Sequence, residues 1–364
     1  MISIIGAGPA GSFAAYNLAR KNLDVEVFEE HNKVGIPIQC SGVITPALDS
    51  LLPKIPKSIL VNQIKKVKFN SPDGNSFTVK IPVDYVFERS KLDQYISSLA
   101  ESAGVKFHLN SRFDSLKRSN NKIKFKINSA YYESDYLIGA DGPYSKVGQS
   151  SGLLDINKRK FITGMQARTK CDIFSKDTVE IFLGYGEFAW LIPENDEFAR
   201  VGLVSESNPK NDFDKLMKLT NSKIICFQSG MIPVYDRTLK TQDKNIYLIG
   251  DAAGMVKASS HGGIFYSMSA SKYLVDSIIN NKNYDSLWKK NLGFDLWLHL
   301  QIRNTLKKFS VKDYNDLVDY FSQDKLKNIL SKNVREYPSK FVSKMLLKEP
   351  RLLKFGFKLL EYSK

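Results

Sequence analysis

A glycine-rich turn near the N-terminus constrains the fold of this chain more than any other feature. It follows an apolar stretch, Ile2–Ile5, and leads into a run of small residues that favours a helix; its sequence is Gly6-Ala7-Gly8-Pro9-Ala10-Gly11. Glu29 comes directly after a second predicted strand, Val25–Phe28. In such a β-α-β unit, Gly6 permits the tight turn, Gly8 lets a pyrophosphate approach the backbone, and Glu29 can accept hydrogen bonds from ribose hydroxyls. The pattern predicts a dinucleotide site, and an acid at this position favours FAD or NAD over NADP.

A second glycine and acid pair lies far along the chain. The predicted strand Asn245–Ile249 stops at Gly250 and Asp251, and a predicted helix opens shortly afterwards at Gly262, Gly263 and Ile264. A dinucleotide half-domain does not need this second motif, whereas FAD does, because its ribityl and pyrophosphate portion spans the domain. An aspartate at a strand end can hold a ribityl hydroxyl, and a helix N-terminus stabilises the pyrimidine end of a flavin. The two motifs together therefore predict FAD.

These motifs resemble those of the FAD-dependent oxidoreductases of the para-hydroxybenzoate hydroxylase fold. The resemblance implies a first FAD motif made of Gly6, Gly8, Ala10, Gly11 and Glu29, and a ribityl motif at Asp251. It also implies that Arg89 opens a helix near the FAD phosphates and that Phe113 contacts the adenine side. For Arg89, a solvated helix start is the alternative interpretation.

Two further stretches resemble the geranylgeranyl reductase family, and this resemblance covers about residues 1–285. The run from Gly35 to Gly42 is similar to that family's flavin-facing loop, which implies flavin contacts by Cys40, Ser41 and Gly42. The segment Phe188–Pro193 resembles the family's substrate-pocket motif, which implies a pocket lined by Phe188, Trp190, Ile192 and Pro193. Here Phe188 stands where the family usually has Tyr, Ile192 where it usually has Phe, and His261 where it usually has Gly.

The resemblance implies an enzyme that saturates isolated double bonds in geranylgeranyl chains of membrane lipids. Such a reaction needs a hydride from reduced flavin and a proton on the other carbon, together with a channel that holds an apolar chain and excludes water. Cys40 and Trp190 are the predicted catalytic residues, with Cys40 as proton donor, gate or filler of a small space. The alternatives are an inert cysteine and an ordinary β-sheet core around Trp190. The predicted external reductant is NAD(P)H or ferredoxin.

Other functions compatible with the fold make different demands on the chain. A flavin-dependent monooxygenase or halogenase acting on an aromatic substrate is the main alternative, because it shares the fold and a similar Trp-containing stretch. The only cysteines are Cys40, Cys171 and Cys226, which excludes a four-cysteine zinc or iron–sulfur site built from this chain alone. No motif of interleaved aromatic and basic residues supports nucleic-acid binding. We therefore predict neither a metal nor a nucleic-acid partner.

The order of predicted elements favours an α/β fold, with a Rossmann-like FAD-binding domain, an inserted β-rich substrate domain and a C-terminal helical segment. The predicted FAD-binding domain is discontinuous and comprises residues 1–60, 84–155 and 230–285. Residues 61–83 and 156–229 form the predicted substrate domain, and residues 286–364 form a basic helical segment in which Pro338 and Pro350 are the only firm breaks.

Positive charge is concentrated in the last part of the chain. The protein carries a formal net charge of +15, and residues 282–364 contribute +9 of it, from 18 Lys and Arg against 9 Asp and Glu. Such a surface fits anionic lipid headgroups, while lysines on the outer face of capping helices are the alternative interpretation. No stretch is apolar for the roughly 18 residues of a membrane span, so we expect a cytoplasmic protein that touches the membrane, if at all, from its surface.

Overall fold

The computed structural model describes residues 1–119 and 122–360. The chain divides into two compact units, each assembled from three separate segments. The first unit comprises Met1–Ile38, Arg89–Lys160 and Ile232–Trp297, and the second comprises Gln39–Glu88, Phe161–Met231 and Leu298–Lys364.

The described residues contain strands in three sheets. In chain order the strands are β1 (Ile2–Ile5), β2 (Val25–Phe28), β3 (Val43–Ile44), β4 (Leu60–Asn70), β5 (Ser76–Phe87), β6 (Lys106–His108), β7 (Phe113–Ser119), β8 (Lys122–Ile127), β9 (Ala130–Ser134), β10 (Tyr136–Gly139), β11 (Phe161–Lys170), β12 (Thr178–Phe182), β13 (Phe188–Pro193), β14 (Phe198–Ser205), β15 (Lys223–Pro233), β16 (Gln242–Asp243) and β17 (Ile246–Leu248).

The α-helices lie between these strands and throughout the C-terminal part. In chain order they are α1 (Pro9–Ala19), α2 (Arg89–Ser102), α3 (Lys146–Ser151), α4 (Pro209–Leu219), α5 (Ile264–Asn280), α6 (Tyr284–Leu306), α7 (Val311–Phe321), α8 (Asp324–Lys332), α9 (Val342–Lys348) and α10 (Leu353–Leu360).

The first unit is built on a six-stranded sheet with the order β16-β17-β10-β1-β2-β6. All pairings in it are parallel except that of β16 with β17. All four residues of β1 are buried, as expected for a strand covered on both faces of a parallel sheet. The carboxyl ends of β2, β1, β10 and β17 therefore lie side by side at one edge, where open α/β sheets bind their ligands. The sheet confirms the Rossmann-like prediction.

The second unit is built on an eight-stranded sheet with the order β15-β11-β14-β13-β12-β4-β5-β3. Strands β4 and β5 form the hairpin that Pro72-Asp73-Gly74 predicts; Gly74 has a φ of 90°, which glycine adopts readily. Residues on one face of β11, β13 and β14 pack against Phe213 and Leu216 of α4. One face of this sheet is thus covered by α4, and the other face carries three of the four predicted pocket residues, Phe188, Trp190 and Ile192.

The C-terminal part is helical, as predicted, but it has more breaks than the two prolines suggest. Helix α6 ends at Leu306 and α7 begins at Val311, where Ser310 and Asp313 form a reciprocal capping box. The expectation that only Pro338 and Pro350 interrupt the helices was wrong, because local caps end helices without proline.

Many basic side chains of the tail are paired with acids. Arg303 Nε donates to Glu187 at 2.8 Å, Lys354 Nζ to Asp316 at 2.6 Å, and Arg351 Nε to Glu349 at 2.6 Å. Acids thus neutralise part of the positive charge of the tail, and Glu187 lies outside the tail itself. Within the described part of the chain, no helix combines the length and apolar character needed to cross a bilayer.

Candidate functional site

The structure explains the glycines of the first motif in different ways. An ideal Cβ on Gly6, which has a φ of 102°, would lie 2.4 Å from the carbonyl oxygen of Ala140, and one on Gly11 would lie 2.0 Å from the carbonyl oxygen of Gly6. Both glycines are therefore required by the packing of α1 on β1 and on the end of β10. Gly8 is different, since an ideal Cβ there meets no atom within 4 Å.

The absence of a side chain at Gly8 is not explained by the described residues of the protein. Gly8 has φ −65° and ψ 177°, an extended conformation that any residue adopts, and it precedes α1 without a side-chain cap. The first N–H groups of a helix lack intrahelical partners and attract anions. The open space at Gly8 thus fits a pyrophosphate lying against the start of α1, which is the place that FAD requires.

Glu29 closes the other side of this turn. Its Oε2 accepts a hydrogen bond from the backbone N–H of Ala7 at 2.8 Å, and its Oε1 accepts one from the backbone N–H of His31 at 3.0 Å. The imidazole Nδ1 of His31 also lies 2.6 Å from Oε1. Since each carboxylate oxygen has two lone pairs, these contacts leave capacity for ribose hydroxyls. Sequence reasoning identified Glu29 but missed His31, which only its proximity in the chain could have suggested.

Phe113 lies close to Glu29 through the backbone. The N–H of Ser111 donates to the carbonyl oxygen of Glu29 at 2.7 Å, and the N–H of Asn110 donates to that of His31 at 3.0 Å. Phe113 follows as the first residue of β7, and its side chain is buried. The segment that carries Phe113 is thus next to the ribose-side acid, although an adenine contact by Phe113 stays a prediction.

The second motif meets the first at the carboxyl edge of the sheet. An ideal Cβ on Gly250 would lie 2.8 Å from Cβ of Ala10, so the two motifs are in direct contact despite their separation in sequence. Asp251 is half-buried, and its Oδ1 lies 3.1 Å from the ideal Cβ position of Gly263, directly before α5. Gly262 and Ile264 flank that position, so the predicted flavin-side residues of the first unit converge.

The electrostatics of Asp251 reflect this location. Burial raises the pKa of Asp251, and the positive charges of Arg159 and Arg89 oppose that rise. Arg159 also donates from Nη1 to the carbonyl oxygen of Ala252 at 2.9 Å, which braces the turn that carries Asp251. Arg159 was missed by sequence reasoning, because a single arginine between two domains has no recognisable pattern.

Arg89 begins α2, as predicted, but its guanidinium is held within the helix. Its Nη2 donates to both carboxylate oxygens of Asp93 at 2.9 Å, and both side chains are buried. Arg89 is therefore not a solvated helix start. The bidentate pair fixes a positive charge in the neighbourhood of Asp251, while a direct phosphate contact stays a prediction.

His261 has an unusual backbone conformation for a residue other than glycine. Its φ is 52°, in the left-handed region that glycine favours. The N–H of His261 donates to the carbonyl oxygen of Lys257 at 2.8 Å, which closes the loop before Gly262. The loop thus keeps a glycine-type backbone at this position, at a cost of about 1 kcal/mol for a non-glycine residue.

The predicted loop residues Cys40, Ser41 and Gly42 belong to the second unit. The backbone N–H of Gly42 donates to Sγ of Cys40 at 3.4 Å, and Nε2 of Gln228 donates to the carbonyl oxygen of Cys40 at 3.0 Å. Cys40 is half-buried. The loop is thus held at both its side chain and its backbone.

Arg200 anchors this loop to the eight-stranded sheet. Its Nη1 donates to the carbonyl oxygen of Ser41 at 2.7 Å and to that of Phe87 at 2.9 Å, and its Nε donates to Glu194 at 2.8 Å. Burial would raise the pKa of Glu194, but the hydrogen bonds from Arg200 and Arg168 outweigh it and lower that pKa. Arg200 was missed by sequence reasoning; the available signal was a lone charged residue inside the apolar strand β14.

Trp190 lies on the same face of the sheet as Arg200. Trp190 and Gln166 are both register partners of Gly202, on either side of it, and the indole Nε1 donates to Oε1 of Gln166 at 2.9 Å across that glycine. An ideal Cβ on Gly202 would lie 2.7 Å from Cζ2 of Trp190. Gly202 therefore creates the space in which the indole lies, and Gln166 orients it.

The four predicted pocket residues do not share one environment. Phe188 and Trp190 are half-buried and in contact, with ring centroids 5.8 Å apart. Ile192 lies on the same face but is buried, in a cluster with Ile64 and Val179 against which Trp190 also packs. Pro193 points to the opposite face, because successive residues of a strand alternate. The structure thus brings Phe188 and Trp190 together with the Cys40 loop on one face, and it does not bring Pro193 there.

The fold defined by these two units is that of the FAD-dependent oxidoreductases. Residues 4–41 match the NAD(P)-binding Rossmann-like domain family. A solved geranylgeranyl bacteriochlorophyll reductase-like protein from Thermoplasma acidophilum has the same fold, with a TM-score of 0.82 and 21% identity over 96% of this chain and 98% of that protein. A flavin-dependent halogenase also shares the fold, with a TM-score of 0.71 and 16% identity over 97% of this chain and 77% of its own.

Two named reductases are similar to this chain over most of its length. The chain is 28% identical to the digeranylgeranylglycerophospholipid reductase of Methanothrix thermoacetophila, over 87% of this chain and 90% of the relative. It is 27% identical to digeranylgeranylglycerophospholipid reductase 1 of Methanosphaera stadtmanae, over 98% of this chain and 96% of the relative. These matches confirm the resemblance that the motifs predict: the chain is similar to digeranylgeranylglycerophospholipid reductases over most of its length.

Proposed function

We propose that this protein is an FAD-dependent reductase that saturates isolated double bonds in the geranylgeranyl chains of membrane lipids. The observation that carries the proposal is the match to digeranylgeranylglycerophospholipid reductases over nearly the whole chain. The open space at Gly8 adds support, because it fits a dinucleotide phosphate. Likeness to the halogenase concerns the fold alone, since that protein is 16% identical to this chain.

The residues of the first unit would hold the cofactor. The start of α1 at Gly8 receives the pyrophosphate, Glu29 accepts ribose hydroxyls, and Asp251 accepts a ribityl hydroxyl. When bound and reduced, FAD supplies the hydride that adds to one carbon of the double bond. The three residues follow β1, β2 and β17, whose carboxyl ends lie along one edge of the sheet.

The residues of the second unit would bind the lipid chain and deliver the proton. Trp190 and Phe188 offer aromatic surface to an isoprenoid, and the hydrogen bond from Gln166 fixes the indole plane. Cys40 is the proposed proton donor to the second carbon, so that one hydride and one proton saturate one bond. Arg200 keeps the Cys40 loop on the Trp190 face. We expect either NAD(P)H or ferredoxin to serve as the external reductant.

An anaerobic single-turnover experiment tests the reaction. The purified holoprotein is reduced with dithionite and mixed with a detergent-dispersed geranylgeranyl lipid, and flavin absorbance and lipid mass are followed. The proposal requires reoxidation of the flavin together with a gain of two hydrogen atoms per reduced bond. Reoxidation by air alone, with unchanged lipid, would transfer support to the monooxygenase alternative.

The same assay tests the role of Cys40. Cys40→Ala should slow flavin reoxidation at least tenfold while leaving FAD binding intact, and Cys171→Ala is the matched control because Cys171 is also half-buried but packs under α4. General acid catalysis contributes typically about 10² to 10⁴ in rate. A Cys40→Ala protein that turns over at the wild-type rate would show that another group supplies the proton.

A further inference from the structure

An exposed apolar patch lies on β15 and the end of α4. Its four residues are Leu219, Ile224, Ile225 and Phe227, with exposed fractions of 49%, 53%, 50% and 49%. Leu219 ends α4, and only three residues separate it from β15. Several exposed apolar side chains so close together in the chain favour an interaction site.

The position of β15 makes this exposure unusual. β15 is an edge strand of the eight-stranded sheet, and residues 223–227 are all exposed. Because successive side chains of a strand point to opposite faces, side chains on both faces of β15 are exposed there. Proteins normally protect such an edge with charges, bulges or a covering element.

The patch is nevertheless firmly positioned. The ring of Phe227 makes an edge-to-face contact with Phe213, with centroids 5.4 Å apart, and Phe213 is a buried residue of α4 that packs on the sheet. The N–H of Ser222 donates to the carbonyl oxygen of Met217 at 3.0 Å, which ties the connection to the end of the helix. The apolar side chains are therefore presented by a rigid helix and strand.

Lysines surround the patch. Lys215, Lys218 and Lys223 are exposed, and among the residues that the structure describes none of them has an ion-pair partner. The nearby Lys210 is neutralised by Asp214, with an Nζ to Oδ1 distance of 3.2 Å. Three free positive charges thus flank four exposed apolar side chains.

The geometry points to this patch as the surface that docks the protein on an anionic lipid bilayer. Apolar side chains insert into the interface while lysines pair with headgroup phosphates, and the unpaired edge of β15 stays in the hydrated headgroup layer. A second copy of the chain fits less well, because a symmetric contact would bring the same lysines together. The inference rests on the proposed function, which requires access to a membrane lipid.

Vesicle binding of the full-length holoprotein tests the inference. Wild-type protein should co-sediment with vesicles of phosphatidylcholine and phosphatidylglycerol, and less with phosphatidylcholine alone. One lysine near an anionic surface contributes about fivefold to partitioning, so a variant with Lys215, Lys218 and Lys223 all changed to Glu should lose about 100-fold or more. Ile225→Ser should weaken binding to both kinds of vesicle.

The tail supplies a matched control. Lys332, Lys344 and Lys348 are exposed and likewise have no ion-pair partner within the described ranges. Changing all three to Glu alters the net charge by the same amount, and it should leave vesicle binding within about twofold, since these lysines are outside the patch. Equal losses in both triple variants, or a larger loss in the tail variant, would overturn the inference.

Cys226 provides a second readout in the unmodified protein. It is exposed on β15 among the patch residues, whereas Cys40 and Cys171 are half-buried. Anionic vesicles should slow its alkylation by a water-soluble maleimide at least tenfold, as followed by peptide mass spectrometry. Unchanged alkylation would contradict docking. If Cys226 is protected from alkylation without vesicles and the protein is a dimer in analytical ultracentrifugation, the patch is instead an interface with a second copy of the chain.

Two substrates, dispersed lipid and lipid in vesicles, test the proposed function and the docking surface separately. The detergent-dispersed assay needs no membrane, so the triple variant of the patch should reduce dispersed lipid at the wild-type rate and lose activity only on lipid in anionic vesicles. Wild-type activity of this variant on vesicles would remove the docking role while leaving the reductase intact. If the wild-type protein does not reduce dispersed lipid, the proposed function itself is refuted.

Discussion

Gly8 allows the flavin assignment to be tested separately from folding. An ideal Cβ at this position meets nothing within 4 Å, and the backbone conformation suits any residue. Gly8→Val should therefore change the free energy of unfolding of the FAD-free protein by no more than about 0.5 kcal/mol. Its isopropyl group would, however, occupy the space where a pyrophosphate approaches the start of α1.

The expected loss in FAD affinity follows from the contacts removed. Hydrogen bonds to a charged group contribute about 1.5–3 kcal/mol each, so the loss of one or two should weaken FAD binding by about 3 kcal/mol, or roughly 100-fold. Titration of FAD-free protein, followed by quenching of flavin fluorescence, measures this. Urea unfolding of the same preparation measures stability.

Gly11→Ala is the contrasting variant. Its Cβ would lie 2.0 Å from the carbonyl oxygen of Gly6, a distance that backbone movement has to relieve. We expect the FAD-free protein to lose about 3 kcal/mol or more of stability, the upper end of overpacking costs. If Gly8→Val binds FAD like the wild type, or destabilises the FAD-free protein as much as Gly11→Ala does, the argument that Gly8 faces a ligand is refuted.

Three further predictions concern the second unit. Arg200→Met removes one partner of a buried ion pair and should cost about 3–5 kcal/mol in urea unfolding, whereas Arg168→Met, whose side chain is 41% exposed, should cost at most about 1 kcal/mol; similar values would contradict the anchoring role. Gly202→Ala should cost about 1–3 kcal/mol and alter the near-ultraviolet circular dichroism of Trp190, and an unchanged spectrum would count against the tight contact. The interactions of Asp313 lower its pKa to about 2, so they stabilise the fold above the unfolded-state pKa of about 3.9 and are lost as pH falls towards 2. The stability difference between wild type and Asp313→Asn should shrink over that range; a constant difference would exclude this linkage.

Local sequence patterns predicted much of the architecture. The sequence predicted two strands, Ile2–Ile5 and Val25–Phe28, and the hairpin at Pro72-Asp73-Gly74. These were recognisable because the spacing of apolar residues and the residue types of a turn are local properties. The break between α6 and α7 was not predicted, because the serine that caps the start of α7, Ser310, is not distinguishable in the sequence from an ordinary exposed serine.

The candidate site was only partly visible in the sequence. Glu29 and Asp251 were identified because each follows a strand in a glycine-rich context. Arg200 and Gly202 escaped notice, since a lone arginine and a lone glycine in a strand acquire their meaning only from register partners.

The order of glycines, acids and apolar runs was enough to determine a nucleotide-binding α/β fold and its two cofactor motifs, because turn sterics and strand burial act over a few residues. Tertiary structure alone decided which glycine is open to a ligand, which arginine holds the Cys40 loop, and which hydrophobic residues stay exposed on β15. Each of these depends on atoms that are distant in sequence and become neighbours only when sheets and helices pack. The sequence therefore determines these contacts only through the complete fold.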